Sequence, residues 1–525
     1  MNETYETLAM AALISVGLGV FLRQRGWGIA IPLVIVGAVI AVLPVGPNAI
    51  PEPEIILVAI LAPLVFGEAL GSSFLDLRKV RRPVLLLAIG LVVATTLAVG
   101  VAAAAAVAMP ITMACALGAV LAPTDAVAVS SVARRAGLPR RVVAILEGES
   151  LVNDGTGLTA LRVALVAAAA GSVTLVDIGS VFAVAVIVGV GVGLVGGLFV
   201  AWVLGRARDL VSANALTLVA PFGLYLIAEQ WEGSGILAVV VAALVIANRQ
   251  NADPGHAGRV QSVNLWKHIT FVLQCIAFFL VGLELPGVLT RLPDHQWSAL
   301  LILVPLVLLL LIGVRALFVF GIVGAARAVG RGRQYSFAGS AIVVWAGARG
   351  PVSGLAVFSI PAAFADGVPV PFRDLILATT FIVIVVTLFL SLTMAPLARA
   401  LKVDSDDDAD LLRRINVRLA RAALDRLHDI EVEAADAGTP LSPEVAAQLR
   451  AEADHRLDFG AEGEDVVVAS HVRMQQLVQT ARAMIRAEQE ELIAMRDAEG
   501  LPDALVRPML QELDVRDQAL AARHP

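Results

Sequence analysis

Charge is scarce in this sequence: Asp, Glu, Lys and Arg supply only 16% of its 525 residues, while 58% are hydrophobic. A soluble fold draws about a quarter of its residues from those four types, so a water-soluble globular protein is excluded and the solvent is lipid. Cysteine is nearly absent. The two present, Cys115 and Cys275, lie in apolar runs and read as small packed hydrophobes rather than a disulfide or a metal pair. The seven histidines form no metal-binding helix motif. Gly191, Gly193 and Gly196 have the spacing of a dinucleotide fingerprint, but no strand precedes them; Gly189, Gly193 and Gly197 read instead as a packing face between helices. With no accessible nucleophile, metal cluster or phosphate loop, a membrane enzyme is the weakest functional class and no cofactor is expected. The net charge of −6 is unevenly spread: residues 401–525 hold 15 Lys and Arg against 26 Asp and Glu, leaving 24 and 19 for the first 400. Neither part has the basic surface that nucleic acid requires.

What is present is a succession of apolar stretches, each long enough to cross a hydrocarbon layer of about 30 Å. The first is followed by Arg23 and Arg25 without a small-residue cleavage pattern, so it is not read as a signal peptide. Charged residues and Pro/Gly punctuation divide the region into thirteen predicted spans, at about 7–22, 28–44, 54–73, 83–108, 111–132, 142–168, 178–203, 211–229, 235–248, 267–285, 298–323, 336–360 and 374–397. Basic residues gather in every second loop, at Arg23/Arg25, Arg78–Arg82, Arg134–Arg141, Arg206/Arg208, Arg249–Lys267 and Arg327–Arg333. By the positive-inside rule these loops are cytoplasmic, which places the N-terminus outside and the C-terminus inside; the expected location is a bacterial inner membrane.

From Asp404 the composition turns charged and helix-forming, with breakers at Gly438–Pro443 and Gly460–Gly463 and helical apolar spacing over Leu411–Leu427 and Val472–Met495. The expected organisation is a transmembrane domain over 1–400 and an acidic, cytosolic, helical domain over 401–525.

Ionisable residues occur where lipid penalises them by about 2.5 to 3.5 kcal/mol each. Glu68 falls in the third span, Asp125 in the fifth, Glu147, Glu149 and Asp154 in the sixth, and Arg349 in the twelfth. At about 1.5 Å per residue, Glu68, Asp125, Asp154 and Arg349 all lie some 18 to 21 Å from their entry side, too deep for snorkelling. Pro123 interrupts the fifth span beside Asp125, and Gly350-Pro351 interrupts the twelfth beside Arg349. Paired interruptions in the two halves of a membrane chain point to a transporter site, and their odd separation in spans makes any repeat relating them an inverted one. On the sixth span Glu147, Ser150 and Asp154 share a helical face, while Glu149 points away and is expected to pair with Arg349. Glu284 and Arg315 are candidates for a functional role, with helix-end placement or a local ion pair the reading preferred for both. Carboxylate oxygens suit Na+, and protonation of the same carboxylates would expel it, so competition for one site amounts to exchange.

The motifs Ala122-Pro123-Thr124-Asp125, Glu147-Gly148-Glu149-Ser150-Leu151-Val152-Asn153-Asp154 and Ala348-Arg349-Gly350 resemble those of the monovalent cation:proton antiporter family, which contains animal sodium/proton exchangers and their prokaryotic relatives. The resemblance covers about residues 7–400. It implies a fold of about thirteen helices with inverted repeats and two interrupted, crossing helices. It implies that Asp154 carries ion and proton, with Asn153 before it signalling electroneutral exchange. Asp125, Thr124, Ser150 and Glu68 would complete a Na+ site, with Glu149 and Arg349 as a core-stabilising pair. It further implies a homodimer, a core of spans about 83–168 and 298–397, and an interface domain of spans about 7–73 and 211–285. Gln274 stands where some animal relatives have an acidic residue, and no role carries over. A K+/H+ antiporter of the same mechanism is the principal alternative, and a cation channel or uniporter a weaker one.

Overall fold

The computed structural model describes residues 2–43, 53–125, 140–170, 174–207, 209–252, 258–328, 337–364, 367–401, 408–436, 442–447, 449–450 and 464–499, with 509–510, 513 and 516–517. Residues 126–132 of the fifth span, the basic loops at 134–139 and 329–333, and the tail breakers at 438–441 and 460–463 lie outside them. Among the described residues the fold is all-helical, with an isolated β-bridge between Ala363 and Pro369. The chain divides into two compact units, Met1–Asp406 and Asp407–Pro525.

In the first unit, α1 (Asn2–Gln24) and α2 (Ala30–Val42) precede a helix in three parts: α3 (Pro53–Ile56), a π-helical turn over Leu57–Leu61, and α4 (Ala62–Leu70). Next come α5 (Phe74–Lys79), α6 (Arg81–Leu85), a second π turn over Leu86–Leu91, and α7 (Val92–Val107). Ala108, left-handed at φ 51°, ends α7, and Pro110 leads into α8 (Ile111–Leu121). Then follow α9 (Arg140–Ala170), α10 (Leu175–Leu204), α11 (Leu210–Gln230), α12 (Gly235–Ala252), α13 (Gly258–Arg291) and α14 (Trp297–Ala328). The last helices of this unit are α15 (Phe337–Trp345), α16 (Pro351–Ala356), α17 (Arg373–Ser391) and α18 (Met394–Ala400). Among the described residues, six helical segments are long and apolar enough to cross a membrane: Arg81–Val107, Gly179–Leu204, Val211–Gln230, Asn264–Arg291, Asp294–Ala325 and Arg373–Ser391.

Local chemistry sets several of these boundaries. Thr174 caps α10, accepting from the Asp177 N–H while the Asp177 carboxylate accepts from the Thr174 N–H, a reciprocal pair that satisfies two orphan donors. Along α10, Gly189, Gly193 and Gly197 lie directly against the backbone of Ser234, Ala238 and Ala242, on the α12 side. The glycine stripe is therefore a close helix-packing face, as its four-residue spacing suggests. Helix α13 packs along α2 and also meets α4, α16 and α17, while α9 lies against α8 and α12. Exposed Leu13, Val101, Ile187, Val195, Phe199, Leu301, Leu309 and Leu317 ring the bundle, the surface expected where the solvent is hydrocarbon.

The second unit contains α19 (Asp408–Asp436) and α20 (Glu464–Glu499). Arg450 there pairs with Glu431, and Arg482 with Asp517, whose carboxyl the guanidinium holds below the ordinary range.

Candidate functional site

A helix end and a helix interruption meet in the first unit. Helix α8 stops at Leu121, and residues 123–125 leave the helix at Pro123, which packs against Gly157 of α9. Helix α15 stops at Trp345 and α16 resumes at Pro351. Each break leaves backbone groups without an in-helix partner, and in a dry interior they must be satisfied elsewhere. They are satisfied across the break. The Asp125 N–H, which a continuous helix would direct to Leu121 O, donates to Ala348 O at 2.9 Å. The Leu121 carbonyl accepts instead from Arg349 Nε at 2.9 Å, while Arg349 Nη1 donates to Gly347 O. The Arg349 N–H is held by Thr387 Oγ1 of α17 at 3.1 Å. The Asp125 side chain lies directly over Gly350, where a Cβ would overlap the carboxylate.

This geometry corrects the expected pairing of Glu149 with Arg349. Glu149, 1% exposed, is gripped by Nη1 and Nη2 of Arg315, itself 2% exposed, on α14. Arg315 Nε also donates to Val343 O at 2.8 Å, in the last turn of α15 before its break. Two buried arginines thus divide the work: Arg315 neutralises the carboxylate and Arg349 caps the carbonyls. From Glu149 the network continues to the site residues. Thr124 Oγ1 donates to Glu149 Oε1 at 3.3 Å and accepts from Asn153 Nδ2 at 3.0 Å. The Asn153 Oδ1 is buried without a hydrogen-bond partner.

Around this network stand the remaining candidates. Ser150 and Asp154 are buried on α9, with Glu147 half-buried on the same helix. Glu68, on α4 just past the π turn, accepts from Gln274 Nε2 of α13 at 3.3 Å. The carboxylates of Glu68, Asp125 and Asp154 lie within mutual electrostatic range, yet among the described residues no three acidic, His or Cys side chains are close enough to hold a metal ion together. Thr124, Asn153 and Glu149 are therefore brought into contact, while Glu68, Asp125 and Asp154 lie within electrostatic range of one another. Arg315 and Gln274 are the residues the sequence reading did not assign to the site. Their signal is a charged or amide side chain within an apolar helix, the same signal that exposed the carboxylates.

A multi-pass membrane protein, all-helical among its described residues, with a helix end at Leu121 tied across the Trp345–Pro351 break beside the buried Asp154, has the form of an ion transporter. The profile of the transmembrane sodium/hydrogen exchangers matches residues 9–400, and the chain belongs to that family. An uncharacterised Na+/H+ exchanger of Mycobacterium tuberculosis is 29% identical over 98% of this chain and 95% of its own length. A sodium, potassium, lithium and rubidium/H+ antiporter of Bacillus pumilus is 32% identical over 76% of this chain and 62% of its own. The sodium proton antiporter MjNhaP1 of Methanocaldococcus jannaschii has a similar fold, with a TM-score of 0.61 and 19% identity over 76% of this chain and 98% of the other.

Proposed function

We propose that this chain is a secondary transporter that exchanges Na+, or Li+, for H+ in an electroneutral cycle, with ion and proton competing for Asp154. The observation that carries this reading is the buried Asn153–Asp154 pair beside the backbone of Asp125 tied across the Trp345–Pro351 break, in a family of cation/proton exchangers. In this account Asp154 binds ion or proton, and Asp125, Ser150, Glu68 and Thr124 complete the Na+ shell. Asn153 contributes the free Oδ1 beside Asp154. Glu149 and Arg315 hold the core together, with Arg349 securing the backbone of the crossing.

The cycle is alternating access, in which a core of α6–α9 and α14–α17 moves against an interface domain of α1–α4 and α11–α13. In this reading the chain crosses the membrane thirteen times, and the basic loops put the N-terminus outside and the acidic 401–525 tail in the cytoplasm. The working unit is a homodimer embedded in the inner-membrane lipid, and its activity serves Na+ and pH homeostasis. A K+/H+ antiporter is the second reading, favoured by the Bacillus pumilus relative's name.

The test is collapse of an imposed pH gradient in proteoliposomes on adding Na+, Li+ or K+, with the membrane voltage free or clamped. Proton movement driven by Na+ and indifferent to voltage is expected. Movement driven by K+ alone replaces the substrate, and a cation flux without proton movement points to a channel or uniporter and refutes exchange.

A further inference from the structure

Beyond the carboxylates, α9 carries a second ionic group, Arg162, two helical turns past Asp154. Its Nη1 donates to Glu229 Oε2 at 3.1 Å and to Gly233 O at 3.0 Å, in the turn joining α11 to α12. Glu229 Oε1 accepts in turn from the Gly235 N–H at 3.1 Å, the first residue of α12. The turn itself is tightly specified: Glu232 takes φ 59°, the Gly233 N–H returns to Ala228 O at 2.8 Å, and the Ser234 N–H donates to Ala185 O of α10 at 2.9 Å. One guanidinium and one carboxylate therefore join the helix that carries Asn153 and Asp154 to the junction of two other helices. A second bridge lies at the corresponding ends of α13 and α17. Arg291, at the end of α13, contacts Glu284 of its own helix and lies 4.0 Å from Asp374 in the first turn of α17; Asp374 is also 3.5 Å from Arg373. By chain direction both bridges fall on the face remote from the arginine-rich loops.

We propose that the Arg162–Glu229–Gly235 junction is a latch: made, it closes the outer side of the transport path; broken, it lets α9 swing away from α11 and α12 and present Asp154 outward. The inference rests on the exchange reading, because it assigns α9 to the moving core and α11–α12 to the interface domain. Arg162 is a positioning residue, touching neither ion nor proton. Arg162 and Glu229 are each about a third exposed, so solvent weakens the pair, and the latch is of a strength that a conformational cycle can break and remake.

Population shift gives this latch a signature that a general loss of structure does not share. A ligand's apparent affinity at one face scales with the fraction of molecules open to that face. Removing a latch on the outer side raises the outward-open fraction and lowers the inward-open one. Glu229→Gln and Arg162→Gln should each lower the half-saturating Na+ concentration at the outer face by about threefold and raise it at the cytoplasmic face, the size expected for a partly screened pair. The double variant should match either single one, because both remove the same interaction. The measurement is Na+-driven proton movement in right-side-out and everted membrane vesicles from cells without other exchangers. An independent readout needs no transport: Ser234→Cys, buried in this turn, should react faster with a membrane-impermeant maleimide when combined with Glu229→Gln. Half-saturation moving in the same direction at both faces, additive single effects, or an unchanged labelling rate overturns the latch alone. An unsubstituted chain without cation-driven proton movement overturns the exchange reading and, with it, the latch as a step of exchange.

Discussion

At the scale of single residues, the arrangement turns on which arginine neutralises Glu149. Arg315 and Glu149 are almost wholly buried and joined through both carboxylate oxygens, so removing one partner strands the other's charge. Glu149→Gln should destabilise the protein by about 3 to 5 kcal/mol, seen as a lower melting temperature in detergent. Glu149→Met with Arg315→Met should recover much of that loss, since a buried pair replaced together by apolar side chains is often neutral. Failure of the double variant to recover would show that Arg315 acts mainly through Val343 O. The sequence reading missed this pairing for a physical reason. It weighed Arg315 as a helix-end or local ion-pair residue, whereas α14 runs Trp297–Ala328, Arg315 lies about three and a half turns from its nearer end, and its partner is 166 positions away in sequence.

At the scale of helices, the breaks at Pro123 and Gly350-Pro351 were legible because proline in an apolar run removes a donor that lipid does not replace. How the breaks repair each other was not legible. The exchange of partners among Asp125 N, Ala348 O, Leu121 O and Arg349 Nε joins residues more than two hundred positions apart, and no local pattern encodes it. The π turns at Leu57–Leu61 and Leu86–Leu91 were hidden as well, because a uniformly apolar run shows no phase for the extra residue to shift. Gly350 makes the helix-scale prediction. A Cβ there overlaps the Asp125 carboxylate, so Gly350→Ala should displace Asp125 and lower the exchange rate at least tenfold, equivalent to about 1.4 kcal/mol. The fold should survive, because Gly350, the N-cap of α16, has φ −113°, a backbone conformation that alanine adopts without strain. Normal exchange in this variant, measured in proteoliposomes, would remove Asp125 from the site.

At the scale of the whole molecule, the charge-poor first unit and the acidic second unit are distinct in composition and in packing. The transport machinery described above lies entirely within Met1–Asp406. A chain ending at Asp406 should therefore keep cation/proton exchange, with any change confined to its pH or concentration dependence; complete loss of exchange in a folded truncated chain would make the tail part of the mechanism.

The central claim is that one carboxylate serves cation and proton in turn, and calorimetric titration of the purified protein with Na+ in buffers of different ionisation enthalpy tests it most directly. The account predicts a proton released for each Na+ bound, with both binding and release lost in Asp154→Asn. Sodium binding without proton release, or binding and release that survive in Asp154→Asn, would contradict it.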